Sequence, residues 1–222
     1  MPNSKPESVV SNQHDAVYDL CRDGAGTVVT PIFQSQLSGT GVCRAVVTHW
    51  LASFMDSMTL KDDAHLEACR TKLRDICGYS SQFYAIQKDF RFHLKTLNLE
   101  ALCLYRNKIF FLKKKWQMTN LGESIPELCH GFYYISIGDR HAMGMRLCND
   151  GAYFIDANTC EFHFSSIGDF GIFFNRYVQA YYPTWRNQSI RLVAMDVHSE
   201  SQCTHKLNRV TGLERFWKFL RK

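Results

Sequence analysis

Apolar positions recur at three- and four-residue spacing through the first half of the chain and in short dense runs through the second. From residue 40 to 58, Val46, Val47, Trp50, Leu51, Phe54 and Met58 fall on one stripe, which predicts a core-facing helix. Leu66, Cys69, Leu73 and Ile76 repeat that spacing over about 62–76, with Gly78 as the stop. Phe83, Ile86, Phe90, Leu94 and Leu97 predict a mostly helical stretch over 80–104. After about residue 105 the period changes. Ile109 to Leu112, Phe132 to Ile137, His141 to Leu147, Ala152 to Asp156 and Ile190 to Met195 are short β-prone runs. Asn149-Asp150-Gly151 is a tight-turn sequence, so 141–147 and 152–156 are expected to form a hairpin. Phe170, Phe173, Phe174, Tyr177 and Tyr181 predict a helix over about 168–181, ended by Pro183. Near the start, Thr27 to Thr30 is β-branched and reads as a short strand or extended arm running into Pro31. Residues 1–24 are polar and carry Pro2 and Pro6, so a flexible leader is expected there, with 25–222 as one folded domain. A helical front half followed by antiparallel strands makes the fold class α+β.

Composition narrows the picture. A chain of 222 residues with 45% hydrophobic and 14% aromatic residues can bury a sizeable core, which excludes wholesale disorder. No apolar run approaches the roughly 20 residues that span a bilayer. The first residues lack the charged and apolar regions of a signal peptide, so the usual secretory route is not expected. The nine cysteines, at 21, 43, 69, 77, 103, 129, 148, 160 and 203, form no CxxC pair and no zinc spacing with histidine. Scattered in this way they suit reduced thiols in a cytosol, and neither a metal nor a cofactor is expected.

The net charge of +5 is unevenly placed: Lys113-Lys114-Lys115 and the tail from Lys206 to Lys222 hold nine basic residues. Such runs are either a solvated face or a contact for an acidic surface; nucleic acid is not an expected partner. In the tail, Leu213, Phe216, Trp217 and Leu220 lie on one helical stripe, with Arg215, Lys218, Arg221 and Lys222 off it. That pattern fits a last core helix or an element lying on an anionic membrane.

Candidate chemistry gathers at three places. Gly39 and Gly41 allow a tight turn, which puts Cys43 in the first turn of the helix that follows. Amides and the macrodipole at a helix start favour the thiolate, although a lone cysteine there also serves as a small packing residue. His141 opens the first strand of the hairpin and Asp156 closes the second, so both lie at one edge of the sheet, within hydrogen-bonding reach. A carboxylate so placed fixes the tautomer of an imidazole and stabilises its charged form. Beside the start of a buried helix, the pair supplies base and orienter for a thiol nucleophile, in the chain order Cys, His, Asp. His49 lies about two turns along the helix, too far to act as the base. Cys148, Cys160 and His163 flank the hairpin, where strand alternation does not turn them to one face with His141 for a metal. Trp185 is either a packed core residue or the wall of a substrate groove.

Gly41-Val42-Cys43 before a helix with Trp50-Leu51, His141-Ala142-Met143-Gly144, and Tyr153-Phe154-Ile155-Asp156-Ala157-Asn158 followed by Glu161-Phe162 resemble the YopT/AvrPphB family. These are papain-like cysteine proteases that bacteria inject into host cells, and the resemblance covers about residues 40 to 165. It implies a papain-like fold, with Cys43 as nucleophile, His141 as base and Asp156 as orienter. It also implies a type III secreted virulence effector that acts in the host cytoplasm, at membranes in some members, on a host protein such as a small GTPase or a kinase. The chain departs from the family pattern at Ala157, Thr159 and Cys160, where a proline, an aromatic and a glycine are usual, and this bears on substrate preference. Papain-like enzymes place a Gln or Asn shortly before the nucleophile to donate to the oxyanion; Gln36 is the nearer candidate and Gln34 the other. The same three residues also serve a glutamine deamidase, a transglutaminase or an acyltransferase, and an inactive binding module can retain the fold.

Overall fold

The computed structural model describes residues 7–33, 41–97, 104–105, 108–109, 111–128, 130–137, 140–185 and 188–195. A helix, α1 (Glu7–Asp23), leads into strand β1 (Gly26–Pro31). Three helices follow: α2 (Cys43–Leu60), α3 (Ala64–Arg74) and α4 (Ser80–Leu97). Then come the short pair β2 (Leu104–Tyr105) and β3 (Lys108–Ile109), strand β4 (Phe111–Gln117), helix α5 (Met118–Ser124) and a 3-10 turn at Ile125–Glu127. The second half is β5 (Gly131–Ile137), β6 (His141–Cys148), β7 (Gly151–Asp156), β8 (Cys160–Phe164), helix α6 (Ile167–Tyr181) and β9 (Ser189–Met195).

Seven strands form one sheet in the order β1-β8-β7-β6-β5-β9-β4, antiparallel at every pairing. Strand alternation divides the core into two. Phe132, Tyr134, Ala142 and Ile155 turn to one face and pack with Val46, Val47, Trp50 and Leu51 of α2, and with Leu66, Cys69 and Leu73 of α3. Tyr133, Ile135, Met143, Met145, Phe154 and Phe162 turn to the other and pack with Phe170, Phe173, Phe174 and Tyr177 of α6. The sheet therefore lies between two helical layers, which is why β5 to β7 read as dense apolar runs rather than as alternating ones.

Two glycines make this possible. Gly144 sits where α2 crosses β6: a Cβ there would lie 2.9 Å from Ile155 and 3.0 Å from Val47. Gly151 closes the β6–β7 hairpin at φ +123, and a Cβ would lie 1.9 Å from the Phe164 carbonyl oxygen. On the α2 face, Glu161 is fully buried and is held by Arg70 of α3 at 2.7 Å and by the Thr30 hydroxyl at 2.9 Å.

Several expectations need revision. The segment expected to be a flexible leader holds α1, whose Val17 and Cys21 are buried beneath the α6 layer with Leu20 packed beside them. Its spacing of 17, 20 and 21 is helical; polarity and the prolines masked it. Of the stretch expected to be mostly helical over 80–104, Ser80–Leu97 is helix and Leu104–Tyr105 is a strand, with 98–103 outside the described residues. Helix α5 and strand β8 were not expected: α5 is short, and β8 is five residues long with Glu161 and His163 interrupting its apolar positions. Gln34, Gln36 and the amphipathic tail at 213–222 lie outside the described residues. Among the described residues no helix is long and apolar enough to cross a membrane.

Candidate active site

Cys43 is the first residue of α2 and is only 5% exposed. The residue before it, Val42, has no polar side chain, so the helix has no cap of its own. A helix start favours the thiolate of a cysteine in its first turn. The sulfur hydrogen-bonds the His141 side chain and the Ala142 backbone N–H at the start of β6.

Register explains the next contact. Met143 pairs with Asp156 across β6 and β7, so His141, two residues before Met143, is the diagonal neighbour of Asp156 on the same face. The His141 Nε2 and Asp156 Oδ1 atoms lie 2.9 Å apart, both residues essentially buried. With Nε2 engaged by the carboxylate, the bond to Cys43 runs from Nδ1. The histidine stands at the end of its strand, with the thiol reaching it from the α2 side and the carboxylate held from the α6 side.

Asp156 has its acceptor positions filled. Oδ1 also accepts the Asn158 N–H at 2.8 Å, and Oδ2 accepts the hydroxyls of Tyr177 at 2.9 Å and Tyr182 at 2.5 Å. Because the Tyr177 proton goes to Asp156, the Thr159 hydroxyl, at 2.7 Å, donates to Tyr177. Tyr182 in turn accepts from the Asn158 side-chain amide at 2.8 Å and lies 3.2 Å from His141 Nε2. Its ring stacks on the imidazole at 5.4 Å, and Trp185 stacks on Tyr182 at 5.1 Å. Trp185 therefore packs beside the site, 6.0 Å from the His141 ring, and is half-buried.

Electrostatics follow from these contacts. Burial pushes the Cys43 thiol up, but the His141 hydrogen bond and charge, with the Ala142 amide, outweigh it and hold the thiol below its ordinary value. Burial pushes the imidazole down, yet the Asp156 charge and hydrogen bond raise it well above. Burial also raises the Asp156 carboxyl, and the His141 charge, Tyr182 and the Asn158 amide bring it below the usual range. Together these favour a thiolate–imidazolium pair. By contrast, burial pushes Cys21, Cys69 and Cys148 up to about 12, and Cys160 further. Tyr177 and Tyr182 are raised well above their ordinary value, chiefly by burial and then by Asp156, so both remain neutral donors.

The structure thus brings Cys43, His141 and Asp156 together; Gln36 lies outside the described residues. His49 is buried edge-on against Phe83, ring centroids 5.9 Å apart. Cys148 donates to the Gly151 carbonyl at the far end of the hairpin, and no cluster suited to a metal occurs among the described residues. Sequence reasoning assigned no site role to Tyr182, Asn158 or Thr159, and took Tyr177 as core alone. Asn158 and Thr159 lie two and three residues after Asp156, where a turn winding back to the carboxylate is a recognisable signal. Tyr182 falls off the apolar stripe and offers none.

No family model and no curated protein matches the sequence. Solved structures that resemble the fold include two bacterial proteins. One is PatoxP, a cysteine protease-like domain of the Photorhabdus asymbiotica toxin PaTox, at TM-score 0.56 and 14% identity over 88% of this chain. This chain spans 61% of that one. The fold is papain-like. The other, the Pseudomonas avirulence protein AvrPphB, aligns at TM-score 0.50 and 14% identity, covering 76% of this chain and 97% of its own.

Proposed function

We propose that the protein is a papain-like cysteine protease in which Cys43 is the nucleophile, His141 the general acid and base, and Asp156 the orienter. One observation carries this reading. Of the described cysteines whose ionisation is shifted, Cys43 alone is shifted toward the thiolate, and it touches a buried imidazole locked to a carboxylate.

In this reading the Cys43 thiolate attacks the scissile carbonyl carbon, and negative charge develops on the carbonyl oxygen. The Cys43 backbone N–H at the start of α2 faces that charge, and Gln36 is the proposed second donor. The imidazolium gives its proton to the departing amine, leaving a thioester and a neutral imidazole. The imidazole then takes a proton from water as it attacks the thioester, and the thiolate leaves, which restores the starting pair. Tyr177, Tyr182 and Asn158 keep Asp156 charged and fixed throughout.

Neighbours from a toxin and an avirulence protein support a bacterial virulence role; injection into a host cell and cleavage of a selected host protein belong to the same reading. The test is mass spectrometry of host lysate treated with wild type or Cys43→Ala. New protein termini produced by the wild type alone are expected. Deamidation of about one dalton, or amine adducts, without new termini would replace hydrolysis with acyl transfer or deamidation at the same site.

A further inference from the structure

We propose that Gln87 is a positioning residue for Cys43: its carboxamide, carried by α4, caps the nucleophile helix from outside and holds the thiol in register with His141. The inference rests on the thiol chemistry proposed above.

A helix start leaves its first amides without partners, and an adjacent Ser, Thr, Asn or Asp ordinarily accepts from one of them. At α2 that place is held by Val42, and the first turn contains no acidic residue. The Ala45 N–H nevertheless has an acceptor, the Gln87 Oε1 atom at 2.9 Å, from a residue 42 positions away. Gln87 is buried at 5% exposure, well inside α4 rather than at its end. A buried carboxamide on one helix spent on an amide two residues beyond the cysteine ties that cysteine's turn to a second element.

The chemistry of the cap matters as much as its place. Among the described residues, the charged groups facing Cys43 from packed elements are His141 of β6 and Asp156 of β7. Asp156 already opposes the thiolate. An acidic cap beside the sulfur would add a second opposing charge and spend the positive end of the helix on itself. A neutral carboxamide from α4 satisfies the orphan amide without that repulsion. Together with the close crossing of Val47 over Gly144, it fixes the start of α2 from both sides.

The test uses the full chain with Gln87→Glu and Gln87→Met, following alkylation of Cys43 by iodoacetamide from pH 4 to 9 by peptide mass spectrometry. Gln87→Glu keeps an acceptor but buries a carboxylate, so melting at neutral pH should fall while the alkylation midpoint rises on the order of one pH unit. Gln87→Met leaves the Ala45 amide buried and unpaired; Cys43 labelling at pH 6 should slow on the order of tenfold. A Gln87→Glu midpoint equal to that of wild type would overturn the proposal, whatever happens to melting. If wild-type Cys43 shows no preference over the other cysteines, the proposed function fails along with it. A reactive wild type with an unmoved Gln87→Glu variant removes only the role of Gln87.

Discussion

Asp156 accepts from an imidazole, a backbone amide and two phenols, and every one of those donors is oriented by something else in the fold. Asp156→Asn therefore does more than weaken the hold on His141. Turned toward the place of Oδ1, its NH2 group meets the imidazole and Asn158 N–H donors; turned toward the place of Oδ2, it forces the two tyrosine hydroxyls to redirect their protons. The expected cost is about 1–3 kcal/mol of stability on top of the loss of turnover, read from urea midpoints. Tyr182→Phe removes one donor but keeps the stacked ring, and should lower activity several-fold with a stability loss of about 1 kcal/mol.

The sign of the pH dependence follows from the same contacts. Asp156 is held low, so its contribution to stability is present above the ordinary carboxylate value and lost as pH falls through the folded one. His141 is held high, so its contribution is complete below the ordinary imidazole value and lost as pH rises through the folded one. The stabilisation is fullest between 3.8 and 6.5, and melting curves of wild type and Asp156→Asn should differ most in that window. A difference that does not change with pH would contradict the ion pair.

At the scale of elements, the hairpin of β6 and β7 and the start of α2 position the whole site. The hairpin was legible because Asn149-Asp150-Gly151 fixes its turn and therefore its register, and register alone sets His141 beside Asp156. The start of α2 was legible from the stripe through Trp50 and Leu51. The second ring of residues was not. Gln87 and Tyr182 act across 42 and 26 positions of chain, and no local pattern encodes such contacts. Helix α1 escaped for a different reason: its apolar face is narrow, and its burial depends on α6. Gly144→Ala should push α2 off β6, cost about 1–3 kcal/mol and slow Cys43 alkylation, because the helix carries the thiol. Gly151→Ala meets backbone rather than flexible side chain, and should be the more destabilising of the two in urea.

For the molecule as a whole, one sheet held between two helical layers places nucleophile and carboxylate on opposite sides of a strand end, with the histidine between them. Removing residues 1–23 should expose the face that Val17 and Cys21 cover and lower the melting temperature by several degrees, which a disposable leader would not do. The tail at 213–222 poses the opposite question. If it is core, its removal lowers melting; if it docks on membranes, the truncated protein melts normally and loses binding to anionic liposomes.

The central claim is that the fold makes one cysteine an ion-paired nucleophile, and competitive alkylation tests it most directly. The full chain would be treated with iodoacetamide at pH 6, with each cysteine followed by peptide mass spectrometry, in wild type and in His141→Ala. Rapid labelling of Cys43 ahead of the other eight, lost in His141→Ala, is the predicted result. Slow, uniform labelling, or fast labelling of Cys43 that survives the loss of His141, would contradict it.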